Sequence, residues 1–64
     1  MAQSRFSGMT VNERLVVSGR VADWDAAVRA RDRARMIAVL EAVDLGNSGD
    51  IADRVLADPA RYGF

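Results

Sequence analysis

The residue types best suited to chemistry in this chain of 64 residues gather in one stretch, DLGNSGDIADRV, Asp44 to Val55. Asp44, Gly46, Asn47, Ser48, Gly49 and Asp50 stand together there, just ahead of an apolar-periodic segment. Oxygen-bearing side chains mixed with glycine suit a calcium loop, a phosphate cradle or a turn between helices. An EF-hand loop starting at Asp44 would place Gly46 at its third position and Val55 at its twelfth. Glycine has no side-chain oxygen and valine cannot supply the bidentate carboxylate that the last position needs. A phosphate loop ends in Gly-Lys-Ser or Gly-Lys-Thr, and the chain has no lysine. A turn followed by a helix cap uses every residue of the stretch, and that is the expectation.

The remaining candidates for chemistry are carboxylates. Asp23 and Asp25 would lie about 200° apart on a helix and cannot converge on one substrate. Asp50 and Asp53 share a helical face, as solubilising acids often do. The chain holds no histidine and no cysteine, which removes the usual zinc ligands and the commonest general base. Without lysine it also lacks the amine of Schiff-base chemistry. No enzyme activity, catalytic residue, metal, cofactor or small-molecule substrate is expected.

Charge is balanced: nine basic residues, all arginine, face nine acidic ones. No long-range field therefore attracts nucleic acid or an anionic membrane. The local exception is RARDRAR, in which Arg29, Arg31, Arg33 and Arg35 alternate with small or acidic residues. Those four arginines carry the competing functional reading, a nucleic-acid-binding regulator. Zero net charge, nearby acids and the lack of interleaved aromatics count against it.

These residues need helices to position them. Thr10 with Glu13 three residues later forms a capping-box signal, and the pattern predicts a first helix over 11–31. Gly19 costs about 1 kcal/mol in its interior and marks a possible bend. Apolar residues make two tracks on this helix. Val11, Leu15, Ala22 and Ala26 form one; Val17, Val21, Trp24 and Val28 form the other, well over 100° away on a continuous helix. Asp32 caps a second helix over 33–43, with Met36, Ile37, Leu40 and Val43 on one face and Ala34 and Val39 beside it. Gly46 is expected to end it in the left-handed conformation. Asn47 or Ser48 starts a third helix to residue 57, with Ile51, Ala52, Val55 and Leu56 facing inward. Asp58-Pro59 then opens a final turn before Tyr62 and Phe64.

The fold expected is all-α: a small three-helix bundle with a long first helix and a short C-terminal helical turn. Residues 1–8 are expected to form a disordered N-terminal arm, and residues 9–64 a single helical domain, with Met9 an alternative start. No apolar run reaches the roughly 20 residues that cross a bilayer, and MAQSRFSG lacks a signal-peptide core. A cytoplasmic location follows as the expectation. The segments MTVNERL and LADPARYGF resemble the opening and the Pro-x-x-Tyr-Gly-aromatic end of short uncharacterised bacterial helical proteins. RDRARMIAVLEAVDL is similar to their second helix. That resemblance implies a bacterial cytoplasmic setting and an ordered C-terminus, and no activity.

A core this small rarely supplies more than about 3–5 kcal/mol, and it cannot cover both tracks of the first helix. The functional expectation is a protein–protein interaction module, a regulator or accessory subunit acting as a homodimer or on a larger partner. Val17, Val21, Trp24, Val28, Tyr62 and Phe64 are the expected partner-binding residues, because exposed tryptophan and tyrosine dominate interface energetics.

Overall fold

The computed structural model describes residues 5–64. It is all-helical, with no strand among the described residues: α1 (Val11–Ser18), α2 (Val21–Arg29), α3 (Arg33–Ala42), α4 (Ser48–Ala57) and a 3-10 turn, Pro59–Tyr62. Four helices thus replace the three expected, because the long first helix is two.

The start of α1 follows its sequence signal. Thr10 Oγ1 accepts from the Glu13 N–H at 3.1 Å, and the Glu13 carboxylate accepts from the Thr10 N–H at 3.1 Å. The helix then stops at Gly19, whose backbone is left-handed at φ 72°. There the Arg20 N–H donates to the Leu15 carbonyl and the Gly19 N–H to the Val16 carbonyl. This pair of bonds satisfies carbonyls that a helix end leaves free. The same closure ends α2, with Asp32 donating to Ala27 and Arg31 to Val28, and α3, with Leu45 donating to Leu40 and Asp44 to Glu41. It recurs after the 3-10 turn at Gly63. Glycine fills the left-handed position at two of these four ends, whereas Arg31 (φ 56°) and Asp44 (φ 64°) fill it at the others. Asp44, rather than Gly46, is therefore the residue that ends α3.

The core is built by i, i+3, i+4 spacing. Trp24, Ala27 and Val28 come from α2, and Met36, Val39 and Leu40 from α3. Ala52 and Val55 of α4 and Leu15 of α1 complete it. Of the face expected on the second helix, Met36, Leu40 and Val43 are fully buried, Ile37 is half-buried and Ala34 is exposed. The main packing runs between sequence neighbours: α1 on α2, α2 on α3, α3 on α4, and α4 on the 3-10 turn.

Two features stand out near the start of the described chain. Phe6 is buried at 5% exposure, with the Arg5 guanidinium 4.8 Å from its ring centre. Of the arm expected to be disordered over residues 1–8, residues 5–8 form a turn, and residues 1–4 lie outside the described residues. Arg14 reaches across to the end of α3, donating from Nη1 to the carbonyls of Val43 (2.9 Å) and Asp44 (3.2 Å), while Nε donates to Met9 (3.1 Å). A cation at a helix C-terminus also meets the negative end of its dipole.

Helix starts vary in quality. Asp32 caps α3 by accepting from the Arg35 N–H at 3.1 Å. Asn47 precedes α4 and Asp58 precedes the 3-10 turn, but neither side chain makes a capping bond. Pro59 stands at the first position of that turn, where its fixed φ is already suitable.

Candidate functional site

The break at Gly19 separates the row of residues that a continuous helix would align. Val17 falls in the last turn of α1 and Val21 opens α2. Both are exposed, at 53% and 41%, while Val28 at 0% and Trp24 at 7% belong to the core. Val28 is thus part of the core cluster. Val16, absent from the expected set, is the most exposed large apolar side chain among the described residues, at 68%.

What the break creates is a groove. A hollow of about 460 Å³ lies between the start of α1, the Trp24 side of α2, α4 and the chain end. Thr10, Val11 and Asn12 line one wall, Ile51 and Val55 another, and Arg61, Tyr62 and Phe64 the third. Asn12, Trp24, Tyr62 and Phe64 also line a second recess of about 210 Å³, which extends to Leu15, Val16, Val21 and Asp25. Together the two recesses bring four expected partner-binding residues, Val21, Trp24, Tyr62 and Phe64, to one place. Val17 and Val28 line neither recess.

Trp24 joins core to groove. Its ring is nearly buried in the core, and it lines both recesses. An amphipathic ring in that position offers apolar area and one hydrogen-bond donor together. The 3-10 turn matters here because it folds Tyr62 and Phe64 back toward α1 and α2. The Phe64 N–H donates to the Pro59 carbonyl at 3.0 Å and Gly63 is left-handed at φ 91°.

Two charged residues line the groove: Arg61 the larger recess and Asp25 the smaller. Neither has an ion-pair partner among the described residues. The arginine cluster differs. Arg33 Nε donates to Asp53 at 2.7 Å, and a second, longer bond runs from Nη2 at 3.4 Å. Hydrogen bonding from Arg33 holds the Asp53 carboxyl below its ordinary range, and the same bond raises Arg33. Arg35 lies 3.6 Å from Asp23. Two of the four arginines proposed for nucleic acid thus have acids beside them; Arg29 and Arg31 are exposed.

Among the described residues no group of three or more acidic, histidine or cysteine side chains is placed to hold a metal ion. No described helix is long and apolar enough to cross a membrane. No protein family, curated protein or solved structure matches this chain.

Proposed function

We propose that this chain is a small protein–protein interaction module, a regulator or accessory subunit that docks through the Trp24 groove. α2, α3 and α4 then act as the bundle that holds the site, and α1 with the 3-10 turn frames it. One observation carries the proposal: Val16, Val21 and Tyr62 stand exposed around a groove floored by tryptophan. Fully burying a valine contributes about 1.5–3 kcal/mol, so covering the still-exposed parts of Val16, Val21 and Tyr62 would favour association by a few kcal/mol before its costs. Tryptophan, tyrosine and arginine are also the residues most often central to binding energy, and Trp24, Tyr62 and Arg61 meet here.

Affinity capture from the native host tests this, with the wild-type chain compared against Val21→Arg and Tyr62→Asp. Both substitutions fall on exposed side chains, so folding should survive, as a melting curve can verify. The expected result is a bound chain retained by the wild type and lost with either variant. Retention indifferent to both substitutions would overturn the proposal.

A further inference from the structure

We infer that α1 is a latched wall of the groove, a segment that opens by itself while α2, α3 and α4 stay folded, and that Arg14 is its latch. The inference concerns the chain's own conformation and stands whether or not a partner docks. Of the four large apolar side chains on α1, only Leu15 is buried; Val11 is half-buried, and Val16 and Val17 are exposed. By contrast α2 buries Trp24, Ala27 and Val28, and α3 buries Met36, Val39 and Leu40. The main packing of α1 is on α2 alone, whereas α3 packs on both α2 and α4. Buried apolar surface is what resists local opening, so the helix with a single buried anchor opens first.

Arg14 supplies a hold that burial does not. From the middle of α1 its Nη1 donates to the Val43 and Asp44 carbonyls at the end of α3, about thirty residues away in sequence. A hydrogen bond from a charged donor is stronger than a neutral one. Once Arg14 lets go, Leu15 is the one fully buried side chain of α1. An isolated helix shorter than about 12–15 residues is marginal in water, and α1 has 8, so opening amounts to unfolding of this segment as far as Gly19. The consequence falls on the groove. Thr10, Val11 and Asn12 form one wall of the larger recess that Trp24 lines, and opening removes that wall.

Native-state amide hydrogen exchange of the full chain, in urea from zero to about 1 M, reads each helix separately. The amides of residues 14–20 are expected to be protected at least tenfold less than those of Val28, Leu40 and Val55. Their urea dependence should also be smaller, because their opening exposes less surface. Arg14→Met destabilises the closed state and should speed exchange of the α1 amides about tenfold, equivalent to about 1.4 kcal/mol. Arg54→Gly changes an exposed position inside α4 and should speed exchange at Val28, Leu40 and Val55 about three- to fivefold, through the helix cost of glycine. It should leave the α1 amides unchanged, because α4 stays folded when α1 opens. Equal protection and urea dependence in all four helices, an α1 without protection in the wild type, α1 amides indifferent to Arg14→Met, or α1 amides sped by Arg54→Gly as much as the rest would each overturn the inference.

Discussion

Replacing Gly19 with alanine isolates the backbone cost of the turn that divides α1 from α2. At φ 72° the residue sits in the left-handed region, and an added Cβ would meet no atom within 4 Å. Steric conflict with neighbours therefore contributes nothing, and the penalty is the local one of about 1–2 kcal/mol for an L-residue in that conformation. Alanine recovers part of it by restricting the unfolded chain, worth about 0.4–1 kcal/mol. The net loss is about 1 kcal/mol, a sizeable share of the roughly 3–5 kcal/mol that a core of this size supplies. With a urea slope near 1 kcal/mol per molar for so small a chain, the midpoint should fall by about 1 M, with helical circular dichroism unchanged. Arg31→Gly is the mirror experiment. Arg31 occupies the same place in the same closure at φ 56°, so relieving it should raise stability by about 0.5–1 kcal/mol. If Gly19→Ala instead raised both stability and helicity, α1 and α2 would be one helix in solution, and the groove that depends on their separation would be lost.

Other substitutions probe the contacts that hold the groove's framework. Arg14→Met keeps most of the aliphatic stem but removes the bonds to Val43 and Asp44; it should cost about 1–2 kcal/mol in urea denaturation. Arg20→Met should change stability in the opposite direction, by up to about 1 kcal/mol, because the Arg20 Nε is buried without a hydrogen-bond partner among the described residues. Asp53→Asn tests the pairing with Arg33. The folded-state pKa of Asp53 is lowered, so its stabilising effect is present above the ordinary carboxylate value and is lost as pH falls through the lower, folded one. The variant should therefore be slightly less stable than wild type at neutral pH and converge with it in acid; an unchanged gap at low pH would contradict the pairing.

Much of the architecture was legible because short-range chemistry decides it. The Thr10–Glu13 box, the Asp32 cap and the Pro59 turn start need only neighbours in sequence, and each appears where its residues predict. The spacing of Met36, Leu40 and Val43 likewise foretold a buried face. The division at Gly19 was visible in a different form. Two apolar tracks over 100° apart suit two faces of one helix, but the strong members of the first track, Val11 and Leu15, precede Gly19, and Trp24 and Val28 follow it. A change of phase across a glycine marks a break, and the structure realises it as such. Three features lacked a local signal. Arg14 contacts carbonyls about thirty residues away, Arg31 and Asp44 take a conformation that favours glycine, and Val16 becomes prominent only after α1 ends. For the site, residue type indicated Trp24, Tyr62 and Phe64, but the groove they line needed the tertiary fold.

The central claim is that this chain associates through the face around Trp24. Methyl and aromatic NMR spectra of the labelled chain, titrated with unlabelled extract of the native host, test it residue by residue. Shifts or broadening on titration are predicted at Val16, Val21, Tyr62 and Phe64, with Val28, Val43 and the Arg29–Arg35 segment silent. Spectra that do not change on titration, or changes gathered at Arg29–Arg35 instead, would contradict the account.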